Sequence, residues 1–138
     1  KVRQDGKQIV IGFIADQVPL WENIHYWTNF LHHDTPVFTG TEKIAQKVNF
    51  AVYYLDVQRL KRGYYQAEFK LITNNPKEKK EFEITEWYIR ELEKTIRRQP
   101  PFYLWTHNRW KRTRQEWLRI KEEREKKRKE NLEKVKNI

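Results

Sequence analysis

The sequence predicts an α/β fold, a mixed sheet flanked by helices and followed by one long charged helix. Three observations carry that expectation. Residues 9–15, after Gln8, form an apolar run of strand length, the pattern of a strand covered on both faces. Residues 50–57 and 64–73 are β-rich segments on either side of Lys61-Arg62-Gly63, which reads as a hairpin turning at the glycine. Trp87, Tyr88, Leu92 and Ile96 then fall on one helical face until Pro100-Pro101 ends the segment, because proline removes a helix donor and clashes with the preceding turn.

The remaining elements follow in chain order. The strand from Ile9 to Ala15 ends abruptly at Asp16-Gln17, and Pro19 restricts Val18 just beyond, so this corner is held at a defined angle. From Val18 to Thr35 the chain is aromatic and irregular between Pro19 and Pro36, which predicts a loop containing a short helix. Glu42 to Val48 is long enough for two helical turns, with Ile44 and Ala45 facing inward and Thr41 as cap. Gly40 supplies either a positive-φ turn or a close approach of that helix to the sheet. A helix start beside a cleft also offers amides to a phosphate or an oxyanion. Asn74 to Lys80 is a polar loop, and Thr85 is the expected N-cap of the next helix, with Ile84 stapled against Ile89. Beyond Trp110, Lys111 to Lys136 holds twelve Lys or Arg against six Glu, with too few apolar residues for a seam; a solvated helix is expected.

Composition narrows the chemistry. The 138 residues carry 29 Lys and Arg against 19 Asp and Glu, a net charge of +10, which favours an anionic partner such as nucleic acid, acidic lipid, phosphorylated glycolipid or an acidic carrier protein. Cysteine is absent, so disulfides, thiolate metal sites and a cysteine nucleophile are excluded. No apolar run approaches the roughly 20 residues of a membrane-spanning helix. Aromatic residues reach 14%, with six tryptophans, a composition that suits surfaces dry on one side and wet on the other. Gly-rich phosphate loops, the Gly-x-Ser-x-Gly elbow and zinc spacings do not occur in the sequence.

Few residues remain as candidates for chemistry. Asp16, at a strand end, accepts backbone or guanidinium hydrogen bonds and can fix a loop or orient a cationic group; Gln17 beside it both donates and accepts. His32-His33-Asp34 invites a metal reading, but adjacent residues on a regular element point apart and no third ligand stands at helical spacing; no metal is expected. Arg97, Arg98, Arg109, Lys111, Arg112 and Arg114 form a dense basic group interleaved with Tyr103, Trp105 and Trp110, which suits an anionic surface. His107 reads as a packing or hydrogen-bonding residue.

The order of these motifs is itself informative. Gly12-Phe13-Ile14-Ala15-Asp16-Gln17-Val18-Pro19 is followed by Pro36-Val37-Phe38-Thr39-Gly40-Thr41. Leu92-Glu93, Ile96, Pro100, Tyr103-Leu104-Trp105, His107, Arg109 and Lys111 come next. This series resembles the C-terminal half of the lipid A late acyltransferases, relatives of the glycerolipid acyltransferases, over roughly residues 9 to 112. The resemblance implies residues 1–112 as the C-terminal half of an acyltransferase domain and 113–138 as a basic helical tail. It also implies transfer of a fatty acyl chain from an acyl carrier protein or coenzyme A thioester to a hydroxyl of a lipid A precursor. By the same resemblance, no metal or organic cofactor is expected to take part, and the reaction is expected at the cytoplasmic face of the bacterial inner membrane. Asp16 and Gln17 become supports of the active site; Arg97, Arg98, Arg109, Lys111 and Arg112 become binders of the acceptor or the anionic membrane.

One departure dominates. The family's general base is a histidine with Asp or Glu five positions later, and here those positions are Phe30 for His25, Val37 for His32, Phe38 for His33 and Arg112 for His107. The chain therefore reads as a fragment without a catalytic residue, its general base expected upstream of Lys1 and its membrane anchor missing. Two rivals stand beside that reading: a basic nucleic-acid-binding module, which the glutamates of the tail disfavour, and a catalytically silent scaffold.

Overall fold

The computed structural model describes residues 9–136. It is α/β, with two antiparallel hairpins, two packed helices and a long C-terminal helix. In chain order these are β1 (Tyr26–Phe30), β2 (His33–Val37), α1 (Gly40–Val48), β3 (Val52–Lys61), β4 (Tyr64–Thr73), α2 (Glu83–Arg98) and α3 (Arg114–Lys136). Short 3-10 turns occupy Trp21–Asn23, Pro76–Glu78 and Pro100–Phe102.

Helix α2 is the spine, because its apolar face serves two cores. Ile89, Leu92 and Ile96 close with Phe30 and Val37 of the first hairpin, while Ile84, near its start, packs with Ala45 of α1 and Val52 of β3. Both carboxylates that fix its ends come from other elements. Glu42 of α1 is buried and accepts from the Phe82 amide (2.6 Å), the Thr85 amide (2.8 Å) and the Thr85 hydroxyl (2.7 Å). Those are first-turn donors, which a helix cannot satisfy internally, and a negative charge there also complements the helix dipole. At the other end Arg98 reaches Asp56 of β3 through two bonds, at 3.0 and 2.6 Å.

The β3–β4 hairpin forms as the sequence predicts. Tyr64 pairs with Lys61 across Arg62-Gly63, and Gly63 takes a φ of 80°, a value that costs glycine little. The other hairpin replaces part of the expected loop. Its two-residue turn is Leu31-His32, with φ of 50° and 68°, a pair of positive angles that two-residue hairpins normally assign to Asn and Gly. Tertiary bonds hold it there: Glu93 of α2 accepts from the Leu31 amide at 2.6 Å, and Arg90 donates to the Asn29 carbonyl.

Further expectations are corrected. Residues 9–15 form no strand: Val10 and Ile14 are 94% and 88% exposed. A strand exists through its ladder, and the two sheets here pair only β1 with β2 and β3 with β4. Helix α2 begins at Glu83 after Phe82 at φ 65°, so Thr85 lies inside the first turn. Its hydroxyl bonds to Glu42, and Ile84 and Ile89 belong to different cores. Ile44 faces out, since α1 instead turns Glu42 and Ala45 inward to cap and pack α2. Gly40 opens α1 directly after Thr39, with neither a positive φ nor a close neighbour, so Thr41 lies inside the helix and is not its cap.

Helix α3 is docked only at its start. Arg114 makes two 2.6 Å bonds to Asp34 and lies over the Trp27 ring, and Trp117 packs beside Trp27 at 6.1 Å between centroids. Beyond Lys121 its described side chains are exposed.

Candidate functional site

Two distant segments meet at one corner of the molecule. The first is the Asp16-Gln17 bend with Val18 and Pro19, of which Val18 and Pro19 are buried. The second runs from Tyr103 to Arg112, on from the Pro100–Phe102 turn that ends α2. The second grips the first almost residue by residue. The Tyr103 hydroxyl donates to the Asp16 carbonyl at 3.1 Å, the Val18 amide donates to His107 Nε2 at 3.3 Å, and Arg112 Nη1 donates to the Pro19 carbonyl at 2.7 Å. Acceptance at Nε2 requires that nitrogen to be unprotonated, leaving the proton on Nδ1. Arg112 also lies over the Trp21 ring, 5.3 Å from its centroid.

Arg109 stands at the centre of this grip. It is 1% exposed; the Tyr103 hydroxyl lies beside its guanidinium, but no well-aligned hydrogen bond reaches any of the three nitrogens. Its guanidinium lies 5.7 Å from the centroid of Phe30, a core residue of β1. The Oδ1 of Asp16 is also buried and unpartnered. Burial depresses the Arg109 pKa, and Tyr103, Tyr88 and Asp16 oppose that shift. Burial raises both tyrosines, with Asp16 pushing each further in the same direction and Arg109 pulling each back. Asp16 and Arg109 thus act on both tyrosines, from opposite directions.

The basic residues singled out in the sequence do not form one patch. Arg98 is committed to Asp56, which also binds Lys70 at 2.8 Å. Arg97 is exposed beside His32, 3.5 Å from its Nε2. Arg112 clasps the corner, Lys111 is exposed, and Arg114 is tied to Asp34. Gln17 is exposed next to the half-buried Asp16. His32, His33 and Asp34 diverge toward Arg97, the Trp110 ring and Arg114. Among the described residues no group of three His, Cys, Asp or Glu is placed to hold a metal ion.

Tyr88 is the member of the corner that sequence reasoning assigned only to packing. Its place on the α2 face beside Leu92 gave a core signal, and nothing local marks it as the neighbour of Asp16. Tyr103 was visible only as an aromatic within the basic group.

The motifs that meet here are those on which the resemblance rests, and a direct comparison agrees. The model of the bacterial lipid A biosynthesis acyltransferases matches residues 2–112. No curated protein and no solved structure matches the chain. The matched range ends at the residue with which the closing segment takes hold of Pro19, so it takes in both halves of the corner and stops short of α3. A match over most of the chain, through both converging motifs, places this protein in the bacterial lipid A biosynthesis acyltransferase family.

Proposed function

We propose that this chain is the C-terminal half of a late acyltransferase, which transfers a fatty acyl group from an acyl carrier protein or coenzyme A thioester to a hydroxyl of a lipid A precursor. The observation that carries the proposal is the convergence of the Asp16-Gln17 bend with Tyr103, His107, Arg109 and Arg112 inside the range matched by the family. The reaction is general-base acyl transfer. An imidazole takes the proton of the acceptor hydroxyl, the oxygen attacks the thioester carbonyl, the carbon–sulfur bond breaks, and the thiolate leaves and is protonated. The base and its acid partner stand five residues apart in the family, and none of the four histidines here has that partner. They come from sequence preceding Lys1, while Asp16 and Gln17 form the supporting wall.

The work of these residues is to orient and to bind. Asp16 and Gln17 lie at a corner held by three hydrogen bonds from or to the closing segment, the rigidity on which productive placement of reacting groups depends. Arg97 and Lys111, both exposed, supply positive charge toward the acceptor's phosphates or acidic lipid. The intact enzyme works at the cytoplasmic face of the inner membrane, anchored by a segment outside this chain. No helix among the described residues is long and apolar enough to cross a membrane. No organic cofactor or metal is assigned.

The test is a direct assay. The 138-residue chain is incubated with acyl carrier thioester and a lipid A precursor beside a longer chain that includes the preceding coding sequence. Turnover is expected from the longer chain alone. Turnover by the 138-residue chain, lost on changing His25, His32, His33 or His107, overturns the division of labour proposed here.

A further inference from the structure

The Arg109 guanidinium is buried beside the Tyr103 hydroxyl with no carboxylate bonded to it, and the Asp16 carboxylate has one buried, unpartnered oxygen. Uncompensated charge away from water is expensive in a folded protein, and orphaned buried polar atoms are few in native structures. Two groups of opposite charge that share Tyr103 as a neighbour, each with unmet hydrogen-bonding capacity, have a simple resolution in each other. We infer that Arg109 is the counter-ion of Asp16 and a positioning residue for the Asp16-Gln17 corner: its guanidinium fixes the direction in which the Asp16 carboxylate points.

Four features of the corner support this. The Tyr103 hydroxyl anchors the backbone of Asp16 itself, so only the carboxylate direction is left to set. Val18 and Pro19 on its far side are tied to His107 and Arg112, which keeps the bend from moving away from the closing segment. The guanidinium is carried on a side chain flanked by Phe30, which limits where its fork can turn. The acids of β2 and of the α2 face toward the first hairpin have partners of their own: Asp34 binds Arg114, Glu93 binds Arg90 and Leu31, and Glu86 binds Tyr26 and Thr28. Asp16 Oδ1 is buried without one. A planar fork suits a carboxylate better than a point charge does, which explains why this position carries arginine in a chain rich in lysine. The role of the pair in turnover rests on the acyltransferase reading, but the pair itself does not.

The test reads the pair without reading turnover, so its failure and the failure of the functional reading are distinct. In the 138-residue chain, the Arg109 Nε–H resonance is followed by NMR, assigned by its loss in Arg109→Met. It is expected to be protected from exchange, and Asp16→Asn is expected to shift it and to speed its exchange by at least about tenfold. Tyr103→Phe, which removes the hydroxyl beside the guanidinium and leaves the carboxylate in place, is expected to shift it without the roughly tenfold gain in exchange. A resonance insensitive to Asp16→Asn, or one that responds only to Tyr103→Phe, overturns the proposal. Thermal unfolding gives a second reading that survives poor spectra. The effect of Arg109→Met on Tm is expected to differ by at least about 3 °C between the wild-type and Asp16→Asn backgrounds, whereas equal effects overturn the proposal. Arg109→Lys, which keeps the charge and loses the fork, is expected to recover part of that difference.

Discussion

Asp56 and Arg109 are buried to a similar degree, 5% and 1% exposed, and both carry charge, yet their surroundings are opposite. Asp56 has every advantage a buried acid can have: two bonds from Arg98, a 2.8 Å ion pair with Lys70 and a hydroxyl from Thr95. Those bonds, led by the one from Arg98, hold its pKa far below the ordinary carboxylate range. Arg109 has no carboxylate bonded to it and no well-aligned hydrogen bond. The satisfied hub joins β3, β4 and α2; the group short of partners sits where the family's motifs converge. Full satisfaction is the signature of architecture, and a charge left short of partners marks a place whose neighbours are set by function.

The contrast can be broken at several points. The largest stability loss is expected at the capping carboxylate of α2, because Glu42→Ala strands two amides and a hydroxyl in a buried region. Chemical denaturation should register a loss of about 3 kcal/mol, and an unchanged midpoint would show that α2 does not need its external cap.

At the hub, Asp56→Asn should cost about 2 kcal/mol at neutral pH. Its basic partners are partly exposed and recover water, which keeps the loss below that of a wholly buried pair. This contribution depends on pH in a defined direction. The folded-state pKa of Asp56 lies below its ordinary 3.8, so the stabilisation is present above that value and is lost as pH falls from there toward the depressed folded value. Urea midpoints of wild type and Asp56→Asn should therefore differ at pH 7 and converge progressively below about pH 4. A gap that stays constant into strong acid would remove the ion pairs as its cause.

At the corner the expected loss is in turnover. Asp16→Asn in the intact acyltransferase should slow turnover per folded molecule by roughly tenfold or more, about 1.4 kcal/mol in the barrier. Unchanged turnover would make the corner as purely architectural as the hub. The smallest effect belongs to the tail. Removing residues 121–138 keeps the docked first turn and Trp117, so Tm should move by no more than about 1 °C, since surface changes away from packed features are near neutral. Co-sedimentation with anionic vesicles should fall several-fold and should be salt-sensitive. Tight binding to DNA at near-physiological salt, without preference for anionic lipid, would instead favour a nucleic-acid role.

The parts of the fold that sequence reveals are those whose causes are local. Gly63 announces the β3–β4 turn, the spacing of Leu92 and Ile96 announces α2, and the run of charge after Trp110 announces α3. The β1–β2 hairpin escapes because its turn is Leu31-His32, two residues with no turn signature, held at positive φ by Glu93 and Arg90 of a helix some sixty positions away. The start of α2 escapes for the same reason, its cap being Glu42. The run from Ile9 to Ile14 misleads in the other direction, since apolar composition signals burial without saying against what. In the site, motif order picked out Asp16 and Arg109 but could not reveal that they share a neighbourhood. Nor could it show that Arg98 is occupied by an acid on β3.

The two carboxylates at the ends of α2 have a consequence for the order of folding. Glu42 and Thr85 are 43 residues apart, and Asp56 and Arg98 are 42 apart, so each bond closes a long loop, and the two loops share the β3–β4 hairpin. The hairpin is local, needs only a two-residue turn, and can form within microseconds. Once it has formed, it shortens both loops together, and closing either one brings the other nearly to contact at little further entropic cost. The helix should therefore dock in a single concerted step onto a preformed hairpin. Substitutions at the Arg62-Gly63 turn should then slow folding, while changes at the two pins should mainly hasten unfolding.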